Sequence, residues 1–364
     1  MQPELLSDYD AVFDKMTCTA RDSLATYARE AESARQLMAS LLTMCPSARA
    51  EILSDPRSHA LPLVNLLLTH SSDLWATDPS SAIDAASLAT RVADRLEVAR
   101  VGTATVEEAR AKAWAYLGNG WRVLGVLPAA EKSFRIAAGH LVAAGGDPLL
   151  EAEVLSFIAS LRDSQGRPAA ALPLIDRACS LYREIGDRRR EGRCLITKGT
   201  LLGNAGAYRR GILSTRKGAS RWRLEEDPSL FLGAQHNQIL FLAAAGSLGK
   251  AGRLLTEKRS LYSSFGDWRM LLNLRLLDGI IALGLGGLAE AESCFWIAAE
   301  GFLERRFELD AALALWRIAE ICVLSGSQSR AKVLAAEVIP IFEEHGAAAD
   351  AAAARQLFSR MSSP

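Results

Sequence analysis

Glycine recurs at Gly166, Gly206, Gly246, Gly286 and Gly326, once every forty residues, and Gly125 stands forty-one before the first. So long a period points to units that stack on their neighbours instead of collapsing around one core. A second ladder runs in phase through Asp147, Asp187, Asp227 and Asp267, with glycine directly before three of the four. Glycine after an apolar helical run supplies the left-handed residue that ends a helix, and an aspartate just beyond accepts from the free N–H groups opening the next one. Two ladders mean two turns, so each unit is helix, turn, helix, turn. A third ladder, Val142, Tyr182, Trp222, Tyr262, Phe302 and Phe342, marks the end of each second helix. These residues are expected to anchor one helix pair against the next.

Composition agrees with helices. Alanine and leucine dominate and aromatics are only 7%; both dominant residues lose little on entering a helix. The fold class expected is all-α. Lys plus Arg and Asp plus Glu are 42 each, which gives no net field drawing the chain to nucleic acid or an anionic membrane. No apolar run approaches the roughly 20 residues that span a bilayer. The cysteines Cys18, Cys45, Cys179, Cys194, Cys294 and Cys322 lie far apart in the chain without a Cys-x-x-Cys pair, so reduced thiols are expected and a zinc knuckle is not. Residues Met1 to Asp14 carry Glu4, Asp8, Asp10 and Asp14 and no basic residue, unlike a secretory signal. The expected location is cytoplasmic.

The unit around Trp114 reads Trp114, Leu117, Gly118, Trp121, Gly125, Ala130, Phe134, Ala137, and Gly279, Gly286, Ala291, Phe295, Ala298 repeat its second part. Ala159, Gly166, Ala171 and Ala178 keep the small positions, and Gly199, Gly211 and Gly218 replace them in the unit around Gly206. This pattern resembles the tetratricopeptide repeat, here of a bacterial type with approximately 40-residue units, over roughly residues 60 to 345. The resemblance implies a right-handed α-solenoid in which small residues mark close helix crossings and large ones fill the holes opposite. The period exceeds the family's ~34 residues and the helix-ending proline is absent; longer helices and the Gly-Asp turn account for both. A HEAT-like array is the fold alternative. The organisation expected is an N-terminal helical cap over 1–58, a repeat array over 59–346, and a capping helix and tail over 347–364. Within the cap, Val12, Phe13, Met16, Leu24, Tyr27, Leu37, Met38 and Leu41 are spaced for one helical face. In the first unit, helices are expected from about His59 to Ala76 and from Ala82 to about Leu96.

Chemistry is sparse. No phosphate-cradling loop, H-E-x-x-H or G-x-S-x-G occurs. Gly284, Gly286 and Ala289 satisfy G-x-G-x-x-A, but with no strand before them. Ser214 to Lys217 satisfies S-x-x-K without its partner motifs. The histidines His59, His70, His140, His236 and His345 show no i, i+4 pair. Neither enzymatic activity, cofactor nor metal is expected.

Solenoids of this type present a concave surface lined by the first helix of every unit. The resemblance places Lys112, Asn119 and Arg122 there, then Ser156, Ser160 and Asp163, then Arg193, Thr197 and Thr200, then His236 and Asn237. Asparagine is a poor helix former, so Asn119, Asn237 and Asn273 invite a reason: amides that pair with the backbone of a bound peptide, as in the peptide-sensing repeat regulators of this architecture, or a solvated surface. Lys112 with Asn119 partly matches the pair that clamps a terminal carboxylate in co-chaperone relatives. Between Arg188 and Arg223, eleven cations, among them Arg209, Arg210, Arg216 and Lys217, face only Glu191. Such a run suits an acidic protein segment or is balanced by Glu225, Glu226 and Asp227. The leading expectation is a non-enzymatic scaffold or regulator binding a protein or peptide, with an acidic partner compatible and a homo-oligomer open. No membrane partner is expected. The alternative is a regulatory subunit gating a partner enzyme, or a nucleic-acid-associated regulator using the basic run 188–223.

Overall fold

The computed structural model describes Thr17 and residues 29–362. Cys18 and the expected helical face through Val12, Phe13, Met16, Leu24 and Tyr27 lie outside the described residues. Helices α1 (29–43) and α2 (Pro46–Ser54) lead into seven antiparallel pairs. The pairs are α3 (Leu61–Leu74) with α4 (Pro79–Ala93), α6 (Thr103–Leu124) with α7 (Leu127–Ala143), and α8 (Pro148–Ser164) with α9 (Pro168–Ile185). They continue with α10 (Arg188–Asn204) and α11 (Tyr208–Ala219), α12 (Pro228–Ala244) and α13 (Leu248–Phe265), and α14 (Trp268–Gly284) and α15 (Leu288–Leu303). The last pair is α16 (Glu308–Leu324) and α17 (Gln328–Glu344); α18 (Ala348–Ser362) closes the array, and a single turn, α5 (Val98–Val101), precedes α6. No strand occurs among the described residues.

Both turn ladders do what their chemistry dictates. Gly125, Gly166, Gly206, Gly246, Gly286 and Gly326 all have positive φ, between 71° and 89°, a region that only glycine enters without cost. Each ladder aspartate caps the helix after it. Asp147 accepts from the N–H groups of Leu149 and Leu150, Asp187 from Arg190, Asp227 from Leu230 and Asp267 from Met270, at 2.8 to 3.3 Å. In the first pair the boundaries move. The second helix starts at Pro79, not Ala82, because Pro79 takes the first helical position and Asp78 caps it through the Ser81 N–H.

Small residues let the paired helices cross. A Cβ on Gly118 would stand 2.9 Å from the Phe134 ring, and one on Gly279 would stand 2.8 Å from Phe295. Between α10 and α11, a Cβ on Gly199 would lie 2.8 Å from the Gly211 carbonyl oxygen. Tyr182, Tyr262, Phe302 and Phe342 are buried as anchors, but two members of that ladder are not. Val142 is 82% exposed. Its neighbour Leu141 packs against Ala111, Ala137, Leu150 and Val154 in its place, since one residue turns a helix by roughly 100°. Trp222 lies beyond α11, which stops at Ala219, and reaches the concave side. The thiols of Cys179 on α9 and Cys194 on α10, separate in the chain, meet at 2.6 Å.

The array curls until its last pair touches its second. The Leu127 N–H donates to the His345 carbonyl at 3.2 Å. A Cβ on Gly125 would stand 3.0 Å from Leu309 Cβ, and one on Gly346 would stand 3.1 Å from Pro128 Cδ. Gly166 faces Ala349 at the start of α18. These contacts close the solenoid into a ring with a small seam.

Candidate functional site

Inside the ring, the first helices α3, α6, α8 and α10 enclose a cavity of about 570 Å³. One wall is aromatic. Trp75, Tyr116 and Phe157 pack on one another with ring centroids 5.0, 5.5 and 5.8 Å apart. The Tyr116 hydroxyl donates to Glu153 at 2.9 Å, and burial pushes its pKa well above the ordinary tyrosine value. The opposite wall is arginine and tryptophan. The guanidinium groups of Arg189 and Arg193 lie 5.7 and 5.4 Å from the Trp222 ring centroid.

Of the groove residues expected from the repeat register, the structure brings Asn119, Arg122, Ser156, Ser160, Arg193 and Thr197 into this cavity. Asp163 and Thr200 line its continuation beside Arg122. Asn119 is buried, and its Oδ1 accepts from Arg122 Nε at 2.9 Å. Burial and the nearby Arg269 lower the Arg122 pKa to about 10, so its charge persists at neutral pH. Lys112 lies to one side, in a smaller recess, with Nζ 5.6 Å from the Tyr116 centroid. Asn237 donates to the Thr200 hydroxyl at 2.8 Å.

His236 belongs elsewhere. It packs 6.4 Å from the Tyr262 ring with Nδ1 unpartnered among the described residues. Burial depresses its pKa to about 4, which leaves it neutral. Thus α12 contributes little to the cavity that its register predicts.

The basic run divides along helical faces. Arg189 pairs with Glu226, Arg190 with Asp187, Arg193 with Asp227, Lys198 with Asp176 and Arg221 with Glu191. Arg216 donates to Gln238 at 3.0 Å. Arg209, Arg210 and Lys217 on α11 are exposed without an ion-pair partner among the described residues. Of the eleven cations, only the paired Arg189, Arg190 and Arg193 line the cavity; Lys198 and Arg221 are paired away from it, and Arg209, Arg210 and Lys217 form an unpaired exposed set on α11.

Sequence reasoning missed the aromatic wall, although its signal was present. Trp75, Tyr116 and Phe157 stand forty-one residues apart in chain order, in the same register as Thr197 forty beyond. Among the described residues, no group of His, Cys, Asp and Glu is arranged to hold a metal ion, and no helix is long and apolar enough to cross a membrane.

No protein-family model and no curated protein matches the chain. Solved structures do. A Rap protein complexed with competence and sporulation factor superposes with a TM-score of 0.61 at 15% identity, covering 78% of this chain and 77% of that one. The apo form of the quorum sensor NprR from B. thuringiensis gives 0.51 at 12% identity, covering 91% and 97%. A tetratricopeptide repeat protein from Parabacteroides merdae gives 0.44 at 16% identity, covering 82% and 99%. With its stacked helix pairs, left-handed turn glycines and small-against-large crossings, this chain has the tetratricopeptide-like fold, an all-α solenoid of helix-turn-helix units.

Proposed function

We propose that this chain is a non-enzymatic regulator that binds a short peptide inside the ring. The observation that carries the reading is the cavity itself: an aromatic wall of Trp75, Tyr116 and Phe157 facing polar side chains of Asn119, Ser156, Ser160 and Thr197. Its volume falls in the range of sites that enclose small ligands, about 300–1,000 Å³. The amide nitrogen of Asn119 has no protein partner among the described residues, which leaves two donors for a peptide carbonyl. The Rap protein of like fold is complexed with competence and sporulation factor, a precedent for a ligand-holding member of this architecture.

The test is retention of peptides. Wild-type protein is incubated with the peptide fraction of a native-cell extract, filtered, and the retained material is sequenced by mass spectrometry. A peptide held by wild type and released by Phe157→Ala supports the reading; an empty filtrate comparison with folded protein overturns it. A synthetic copy at 100 times its Kd should stabilise the fold by about 2.7 kcal/mol.

A second reading rests on other residues. The exposed, unpaired Arg209, Arg210 and Lys217 on α11 suit an acidic segment of a partner protein on the outer face, such as an enzyme that the ring gates. Charge reversal at these three residues separates the two: it should abolish capture of an acidic partner and leave peptide retention unchanged.

A further inference from the structure

The cavity holds four arginines and two carboxylates along its lining, and all but one of these charges are satisfied. Arg189, Arg190 and Arg193 each have a carboxylate partner at 2.7 to 2.8 Å. Asp187 is the partner of Arg190, and Glu153 accepts from Tyr116. Arg122 is the exception. Its Nε is tied to Asn119 Oδ1, while its two terminal nitrogens make neither a hydrogen bond nor an ion pair among the described residues.

The neighbouring carboxylates do not fill the gap. Asp163 accepts from Asn204 at 2.7 Å, and Asp310 pairs with Arg269 at 3.0 Å. Both act on Arg122 only through space. The guanidinium sits where the main cavity, its continuation past Ser160 and the recess at the ring seam converge. The half-buried guanidinium is left with two free donors and no anion, an arrangement that a ligand carboxylate completes, and the Asn119 bond restrains the plane of the fork in which both remaining nitrogens lie.

We propose that Arg122 receives a carboxylate of the bound ligand, with an aromatic or apolar group of the same ligand lying on the wall formed by Trp75, Tyr116 and Phe157. This deepens the peptide reading and rests on it. A planar carboxylate matches a single guanidinium fork with two parallel hydrogen bonds. A phosphate dianion would draw further arginines, and those of this cavity are already paired. The carboxylate comes from a chain terminus or from an acidic side chain; the chemistry at Arg122 is the same.

Three small probes test this directly with the full-length protein. N-acetyl-L-phenylalanine carries an α-carboxylate, N-acetyl-aspartyl-phenylalaninamide a side-chain carboxylate, and N-acetyl-L-phenylalaninamide neither. Dissociation constants are read by titration in ligand-observed NMR. At least one acid should bind tenfold or more tightly than the neutral amide, and which one identifies the source. Arg122→Gln should erase the difference, and Arg122→Lys should keep part of it. Equal binding of acids and amide by wild type, or no binding of either acid, overturns the proposal without any variant having to fold. Peptides retained from extract with no preference for a carboxylate would sink this inference and leave the peptide reading standing. Acid-selective binding with no peptide retained would do the reverse.

Discussion

The backbone N–H of Leu127 donates to the carbonyl of His345 at 3.2 Å, joining the second helix pair to the end of the seventh. Leu309 meets Gly125 at the same seam, and Arg122, Arg269 and Asp310 line the recess behind it. Leu309→Arg would add a third cation there and remove the apolar contact. The ring should then open, seen as a larger maximum dimension in small-angle X-ray scattering with helical content by circular dichroism unchanged. Identical scattering would show that the seam does not hold the ring.

Asp267 caps α14 through the Met270 N–H and forms no ion pair among the described residues. Asp267→Ala should lower stability by about 1 kcal/mol, while Asp267→Asn, which can accept the same hydrogen bond, should cost far less. Chemical denaturation of the three proteins decides this; equal losses would mean that the charge, not the cap, matters.

Two glycine-to-alanine changes should move stability in opposite directions. Gly199 lies at the α10–α11 crossing, where an added Cβ runs into the Gly211 carbonyl and Thr215, so Gly199→Ala should destabilise by roughly 1–3 kcal/mol. Gly139, inside α7, has nothing within 4 Å of an added Cβ, and Gly139→Ala should stabilise by about 0.5–1 kcal/mol. Melting both variants checks the crossing; a tolerant Gly199→Ala would contradict it.

His236 gives the fold an acid sensitivity. Burial holds its folded pKa at about 4, below the ordinary 6.5, so the unfolded chain takes up the proton first. Stability contributed by the neutral ring is present above pH 6.5 and is lost as pH falls from 6.5 towards 4, by roughly 1–3 kcal/mol. His236→Phe should flatten that part of the stability profile. Carboxylates held low by partners, such as Glu107 beside His140 and Glu131 beside Arg162, add losses below their ordinary values in either protein.

The helix pairs were legible because their punctuation is local. Each turn needs a left-handed residue and each helix start needs an acceptor, so Gly166 with Asp187, or Gly246 with Asp267, announce their roles within a few residues. The polar cavity lining was legible for a similar reason: Asn119, Ser160 and Thr200 share one register on successive first helices. Val142 misled because a ladder fixes axial position but not angle, and Leu141 faces inward in its place. The basic run was legible only as a run: Glu226 and Asp227 balance Arg189 and Arg193, as their place in the chain allowed, while which cations stay unpaired depends on the angle each takes around α10 and α11. Ring closure was out of reach altogether. It accumulates from small rotations between neighbouring units, and no single unit carries a mark of it at Leu127 or His345.

An open solenoid tolerates gain or loss of a unit, since each unit answers only to its neighbours. Here the Leu127–His345 bond and the Gly166–Ala349 contact require two distant turns to arrive together. Duplicating one forty-residue segment would carry the far end past its mate and open the recess that Arg122, Arg269 and Asp310 line. The number of repeats in this chain is therefore counted by its geometry, as the staves of a cask are counted by its hoop.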